Sequence, residues 1–172
     1  MNTLNYRLAE AADIAAIREV SMLSYGQFET MLEPEHWEKM KQNLSNLSAL
    51  EALISTATTF VCEAGEELVG VVFLVYSGKE DPPYPADWAS VRRLGVHPAY
   101  RGKGIARQLT QMCIEQATTK GEKILGLHTS TIMPDARHLY SDLGFSIVCE
   151  LEPRLGQQYW LYRMDLPKSC PF

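Results

Sequence analysis

Between Arg101 and Arg107 the chain reads Arg-Gly-Lys-Gly-Ile-Ala-Arg, at the point where a strand-like run ends and a long amphipathic helix begins. Gly102 and Gly104 lack a Cβ there, so the backbone can approach a ligand closely. The unpaired N–H groups and positive dipole end of a helix start suit a phosphate or pyrophosphate. Arg101, Lys103 and Arg107 add positive charge beside it. A P-loop is excluded, because G-x-x-x-x-G-K-[ST] is absent, and so is the dinucleotide fingerprint, because Arg107 stands where its last glycine would be. An isolated Gly-Lys-Gly is ordinarily a solvated connection. The strand before it and the helix after it raise the ligand reading above that one.

Other reactive side chains are less organised. The 4 cysteines (Cys62, Cys113, Cys149, Cys170) form no CxxC pair, and three lie within apolar core patterns. They read as reduced thiols of a cytoplasmic protein. The 4 histidines have no metal-ligand spacing, so no metal is expected. Glu63 and Asp87 read as ordinary surface acids, and His128 as a satisfied sheet histidine. Tyr140, taken alone, is a tyrosine on an amphipathic helix whose hydroxyl sits at the core edge.

The elements that must position these residues follow from periodicity and turn chemistry. Strands are predicted at 4–8, 58–64, 68–76, 89–96, 123–129, 145–151 and 158–166. Helices begin at Asp13 (apolar Ile14, Ile17, Val20), at Pro34 (Trp37, Met40, Leu44) and at Gly104, where the stripe is Ile105, Leu109, Met112 and Cys113. Another opens at Pro134, with Ala136, Leu139, Tyr140 and Leu143 on one face and Gly144 at its end. Residues 47–54 continue the second helix or form a short one of their own. Gly65-Glu66-Glu67 makes a hairpin loop, the proline-bearing stretch 77–87 is a loop, and the tail from Pro167 is loose. Hairpins mixed with helical crossovers argue for a mixed, partly antiparallel sheet with helices on its faces.

The chain has 172 residues, 46% apolar and 22% charged, as expected of a soluble protein folded as a single domain over 1–172. A formal net charge of −5 disfavours broad nucleic-acid binding. The longest apolar stretch, near 68–76, is too short to span a bilayer, and the first residues carry neither a basic nor an apolar signal region. The expectation is a cytoplasmic protein without membrane or nucleic-acid partners.

Arg101-Gly102-Lys103-Gly104-Ile105-Ala106 matches the [Q/R]-x-x-G-x-[G/A] pattern of the GNAT superfamily of N-acetyltransferases. Leu94-Gly95-Val96-His97-Pro98 resembles that family's fourth strand and its exit, and 136–145 resembles its A-x-x-L-Y-x-x-L-G-F segment. The order of elements is similar over nearly the whole chain, the N-terminal third in element type only. The resemblance implies an α/β (α+β) fold: a mixed, mostly antiparallel seven-stranded sheet flanked by helices, with the fourth and fifth strands splayed around a pantetheine arm. It implies acetyl-CoA as co-substrate and no metal. The cofactor residues it implies are Leu94, Gly95, Val96, Arg101, Gly102, Lys103, Gly104, Ile105, Ala106, Arg107, Ala136 and Tyr140. Direct attack by a neutral primary amine on the thioester is the implied reaction. An N–H beside Val96 would polarise the carbonyl, and Tyr140 would protonate the leaving thiolate.

Two positions depart from the pattern. Met133 stands where many members carry a cofactor-contacting Asn, and Ser90, or an Arg in a slipped register, stands where many carry a Glu base. A water chain, Glu63, Asp87 or His128 is left to take the amine's proton. In such proteins the acceptor site is built by the first two helices, their connection, and loops near the sixth and seventh strands. Its candidates are Tyr25, Phe28, Trp37, Tyr84, Trp88 and Tyr159, with Phe28, Tyr84 and Trp88 foremost and the last two as a lid. Glu29, Glu33 and Glu35 read as solvated acids near a helix start. The acceptor is a small-molecule or protein amine. A non-catalytic acyl-CoA-binding module and a nucleotide-binding protein are the competing readings. The run 158–166, taken as an edge strand, is open to pairing in a homodimer.

Overall fold

The computed structural model describes residues 2–168. In chain order these fold as β1 (Leu4–Leu8), α1 (Ile14–Tyr25), α2 (Pro34–Ser45), α3 (Leu47–Thr56), β2 (Thr58–Ala64), β3 (Glu67–Val75), β4 (Ala89–Val96), α4 (Ile105–Thr119), β5 (Ile124–Ser130), α5 (Pro134–Leu143), β6 (Ser146–Arg154) and β7 (Gln157–Asp165). Prolines open α2 and α5, where a missing N–H costs nothing. The Asn46 side chain accepts from the Ala49 N–H at 3.1 Å, which makes α3 a separate helix rather than a continuation of α2.

All 7 strands join one sheet in the order β1-β2-β3-β4-β5-β7-β6. Every pairing is antiparallel except that between β4 and β5. β7 is therefore interior, hydrogen-bonded to β5 on one side and β6 on the other, which corrects its reading as an edge. The edges are β1 and β6, so a homodimer cannot add a strand at β7. β6 is exposed along most of its length, including Ile147 and Val148, and Cys149 lies on it in solvent rather than in the core. Cys62 and Cys113 are buried as expected, while Cys170 and most of the tail lie outside the described residues.

Alternation along the central strands sorts the core onto two faces. Phe60, Cys62 and Ala64 of β2 and Val72 and Leu74 of β3 meet Ile105, Leu109, Cys113 and Ala117 of α4. Val61, Val71 and Phe73 point the other way, onto Ile17 and Val20 of α1 and Leu50 of α3. A strand buried on both faces reads as a continuous apolar run, which is why β3 looks so hydrophobic. Burying a side chain such as Leu109 or Ile105 stabilises by about 1.5–3 kcal/mol. The α4 stripe differs slightly from the prediction: Ala117 replaces Met112, which is only partly buried. At Gly70 of β3 an added Cβ would lie 2.8 Å from Ile105 Cγ2 and 3.1 Å from Leu109 Cδ1. That bare backbone is what lets the first turns of α4 lie on the sheet.

β4 and β5 pair only at Ala89–Leu125 and Ser90–Gly126 before they separate. The cause lies on β4. Its register against β3 shifts so that Arg93 and Leu94 together oppose Val72, and Arg93 takes φ +52°. Such a bulge bends its strand and ends pairing. The splay expected of the fourth and fifth strands is present, and it opens a cleft in the middle of the sheet. No helix among the described residues is long and apolar enough to cross a membrane.

Candidate active site

Two adjoining cavities occupy that cleft. The larger, about 460 Å³, lies at its mouth and is walled by Leu94, Val96, Tyr100, Arg101, Gly102, Gly104 to Arg107, Ala136 and Leu139. The smaller, about 150 Å³, is walled by Tyr25, Phe28, Arg92, Arg93, Leu127, His128, Met133 and Tyr140 among others. Ser24, Gln27, Leu94, Asp135 and Ala136 line both. The structure thus brings most of the predicted cofactor residues to one place. Gly95 is the exception, buried against Ser24 rather than on the wall. Lys103 stands exposed at the turn without lining either cavity.

At the mouth, Gly102 and Gly104 both adopt left-handed backbone, φ +75° and +79°, and open space surrounds each Cα. The first intrahelical bond of α4 runs from the Gln108 N–H to the Gly104 carbonyl at 3.0 Å. The N–H groups just before it are left without helical partners. The three cations of the turn divide their work. Arg101 donates to the Ser24 carbonyl at 2.9 Å and to Gln27 Oε1 at 3.3 Å, so it fastens the end of α1 to the turn. Arg107 pairs with Asp142 of α5 at 3.2 Å. Lys103 has no hydrogen bond or ion pair among the described residues, which leaves it free to meet a phosphate.

Along β4, the Val96 N–H donates to Ser24 Oγ at 3.0 Å, and the Tyr25 hydroxyl donates to the Leu94 carbonyl at 3.2 Å. These are the backbone groups that the resemblance assigns to the pantetheine arm. In this chain α1 engages both.

Tyr140 is one helical turn from Ala136 and looks into the smaller cavity. Its ring packs edge-on against Phe145, 5.9 Å between centroids, and lies tilted to Tyr162 at 6.5 Å. Its hydroxyl makes no hydrogen bond among the described residues, yet it is not one of the sealed polar atoms, so it opens to the cleft. Burial, with the neighbouring Tyr25 next in effect, pushes this phenol well above its ordinary range and keeps it protonated.

Phe28 lines the smaller cavity as predicted. Tyr84 and Trp88 do not. Both are buried with Leu161 in a cluster behind β5, so they form no lid. The Tyr84 hydroxyl lies 2.5 Å from His128 Nδ1, and Arg92 stacks on its ring at 4.7 Å. Tyr84 therefore meets the cleft only through His128. Burial, and behind it the charges of Arg154 and Arg92, pull His128 down to about 4, so it is neutral near pH 7. Trp37 is packed in the α2 core, and Tyr159 lies behind His128.

None of the candidate carboxylate bases reaches the cleft. Glu63 accepts from Arg7 Nε at 2.7 Å in an ion-pair cluster with Asp13 at the far edge of the sheet. Asp87, Glu29, Glu33 and Glu35 are exposed elsewhere. Ser90 is buried and accepts from Arg92 Nε at 2.9 Å. Asp135, on the exposed rim, is the one carboxylate lining either cavity. Ser24 and Gln27 carry no signal in the sequence, and Arg93 shows there only as one of a basic cluster, because neither the seat of α1 over β4 nor the bulge that turns Arg93 into the cleft leaves a mark in the strand pattern.

A mixed sheet splits between its two parallel strands over adjoining cavities, with a glycine turn at the start of the helix that follows. Residues 15–145 match the model of the Acetyltransferase (GNAT) family, and the chain belongs to that family. Among curated relatives, N-acetyltransferase 8F1 of Rattus norvegicus is 34% identical over 86 residues, 50% of this chain and 38% of the relative. N-acetyltransferase 8B of Mus musculus is 34% identical over 89 residues, 52% of this chain and 38% of that protein. The match thus spans about two fifths of the length of those relatives. PaiA N-acetyltransferase from Thermoplasma acidophilum in complex with coenzyme A superposes with a TM-score of 0.78 at 17% identity, covering 95% of this chain and 99% of that one. The structure of yncA from Salmonella typhimurium with its cofactor acetyl-CoA gives 0.74 at 21% identity, covering 99% of each chain. At such identities the structural likeness speaks for the fold alone.

Proposed function

We propose that this chain is an acetyl-CoA-dependent N-acetyltransferase that moves an acetyl group onto a primary amine by direct attack. The observation that carries the reading is the Tyr140 hydroxyl, without a partner among the described residues and open to the cavity beside the one that the glycine turn lines. The amides of 102–107 would hold the pyrophosphate, with Lys103 beside them, and the gap between β4 and β5 would take the pantetheine arm. Relatives named N-acetyltransferases and neighbours solved with CoA or acetyl-CoA support this assignment. Residues 1–172 would act as one domain, and the buried thiols of Cys62 and Cys113 suit a reducing, cytoplasmic setting.

In the reaction, the amine nitrogen forms a bond to the acetyl carbon as the carbon–sulfur bond breaks. The sulfur takes its proton from Tyr140, and solvent returns one. Holding the two substrates in line supplies much of the acceleration. His128 is neutral, but a group held near 4 is a weak acceptor for an ammonium proton. The amine therefore loses its proton to water in the open cleft. It follows that kcat/KM should rise with pH until the acceptor's own pKa is passed.

Calorimetry with acetyl-CoA, followed by a free-thiol assay over a panel of amines, tests the proposal. Binding together with acceptor-dependent thiol release supports it. Binding without release for any amine leaves a CoA-binding module instead, and absence of binding to acetyl-CoA or CoA removes the assignment.

A further inference from the structure

The smaller cavity contains a cation that no described residue neutralises. Arg93 sits on the β4 bulge at φ +52°, half-buried, and lines that cavity. It makes no hydrogen bond or ion pair among the described residues. Its electrostatic neighbours are Tyr25 and Arg92, with no carboxylate, and burial lowers its affinity for a proton. Arg18 and Arg154 also lack partners among the described residues, but both are exposed. Arg92, next to Arg93, is held by Asp81 at 2.6 Å and Ser90 at 2.9 Å. Arg7, Arg101 and Arg107 are each engaged as well.

A half-buried guanidinium loses hydration that only an anion restores in full, and a planar fork of donors matches a carboxylate with two parallel bonds. The surroundings reinforce the bias. Asp135 is the sole acid on this cavity's wall and stands on its exposed rim, without an ion pair to Arg93. His128 is neutral, and the exposed Arg154 adds positive potential near it. The site is thus positive in a chain of net charge −5. Such a site repels a polycation, and the cavity, about 150 Å³, is small.

Resting on the transferase reading above, we propose that Arg93 binds a carboxylate carried by the acceptor, so that the substrates are compact amines bearing an acid group, of the α-amino-acid class, rather than polyamines or amino-acid amides. Arg93 then acts as a specificity residue: it anchors the acid end while the amine faces the thioester near Tyr140.

The test compares α-amino acids with their carboxamides and with diamines, using acetyl-CoA and the free-thiol assay, on wild type, Arg93→Gln and Arg93→Lys. Wild type is expected to favour acids over matched amides by about 10-fold or more in kcat/KM, the scale of a charge-assisted pair. In Arg93→Gln that preference should collapse through acceptor KM, with acetyl-CoA affinity unchanged, and Arg93→Lys should restore part of it. Unchanged acetyl-CoA binding also shows that each variant is folded. Amides or diamines used as well as acids by wild type overturn the proposal and leave the transferase reading standing. Weakened acetyl-CoA binding in Arg93→Gln, with the acid preference retained, gives Arg93 to the cofactor and overturns it too. Intact acetyl-CoA binding with no turnover of any amine removes the transferase reading and this inference with it.

Discussion

At the mouth of the cleft a ligand meets backbone: two left-handed glycines and the bare N–H groups that start α4, all within 101–107. At the far end it meets side chains gathered from α1, β4, β5 and α5, which lie more than a hundred residues apart in sequence. The mouth is set by one short local motif, whereas the shape of the far end depends on how distant elements are laid against one another. The same contrast appears in the cations. The turn leaves Lys103 exposed at its surface, whereas the far end holds Arg93 half-buried on a bulge.

The sharpest way to separate the two ends is chemical. Tyr140→Phe removes a proton donor and little packing, so kcat should fall by about 100-fold while acetyl-CoA affinity stays within about twofold. Steady-state kinetics and calorimetry on the same preparation decide it, and an unchanged kcat gives Tyr140 a packing role only. Gly104→Trp attacks the mouth instead. A side chain at φ +79° is strained and fills the turn, so acetyl-CoA affinity should drop by at least about 10-fold, or about 1.4 kcal/mol. Circular dichroism must show the fold intact. Full affinity in that variant would mean that the cofactor does not use the turn.

Gly70→Ala tests how far the mouth depends on the seating of α4. The new Cβ would press on Ile105 and Leu109, and overpacking of this kind costs about 1–3 kcal/mol. Urea unfolding should report that loss. Acetyl-CoA affinity should weaken more than acceptor KM, because α4 carries the turn and not the far wall. The smallest effect belongs to His128. Its folded value of about 4 lies below the ordinary 6.5, so between those values the unfolded chain binds the extra proton. Its contribution to stability is whole above about pH 6.5 and is lost as pH falls toward 4. His128→Gln should flatten that part of the stability profile, and an unaltered slope would show that the histidine is not held neutral.

Much of the fold was legible from local pattern. The seven strands, the helix starts at Pro34 and Pro134 and the glycine end of α5 appear where period and turn residues placed them, with ends differing by at most three residues. The strand order was not legible. β7 alternates like an edge strand, because Trp160 and Met164 are only partly buried, yet it lies between β5 and β6. Tyr84 and Trp88 stood in a proline-rich loop and so looked like a lid. They fold inward over Gly126, where a Cβ would come within 2.8 Å of Trp88, and so brace β5 from behind.

By itself the sequence determined the chemistry of the mouth, because a helix start, two glycines and their φ values are local properties of seven consecutive residues. It also determined that Tyr140 lies on a helix face shared with Ala136, because helical spacing is local too. Only the tertiary structure decided that α1 takes the Val96 N–H and the Leu94 carbonyl, that Arg101 is tied to the end of that helix, and that Arg93 is left facing the cleft without a partner among the described residues. Each of those outcomes turns on a bulge in β4 and on where α1 lies across it. Both arise from packing between segments some 70 residues apart, which no spacing along the chain encodes.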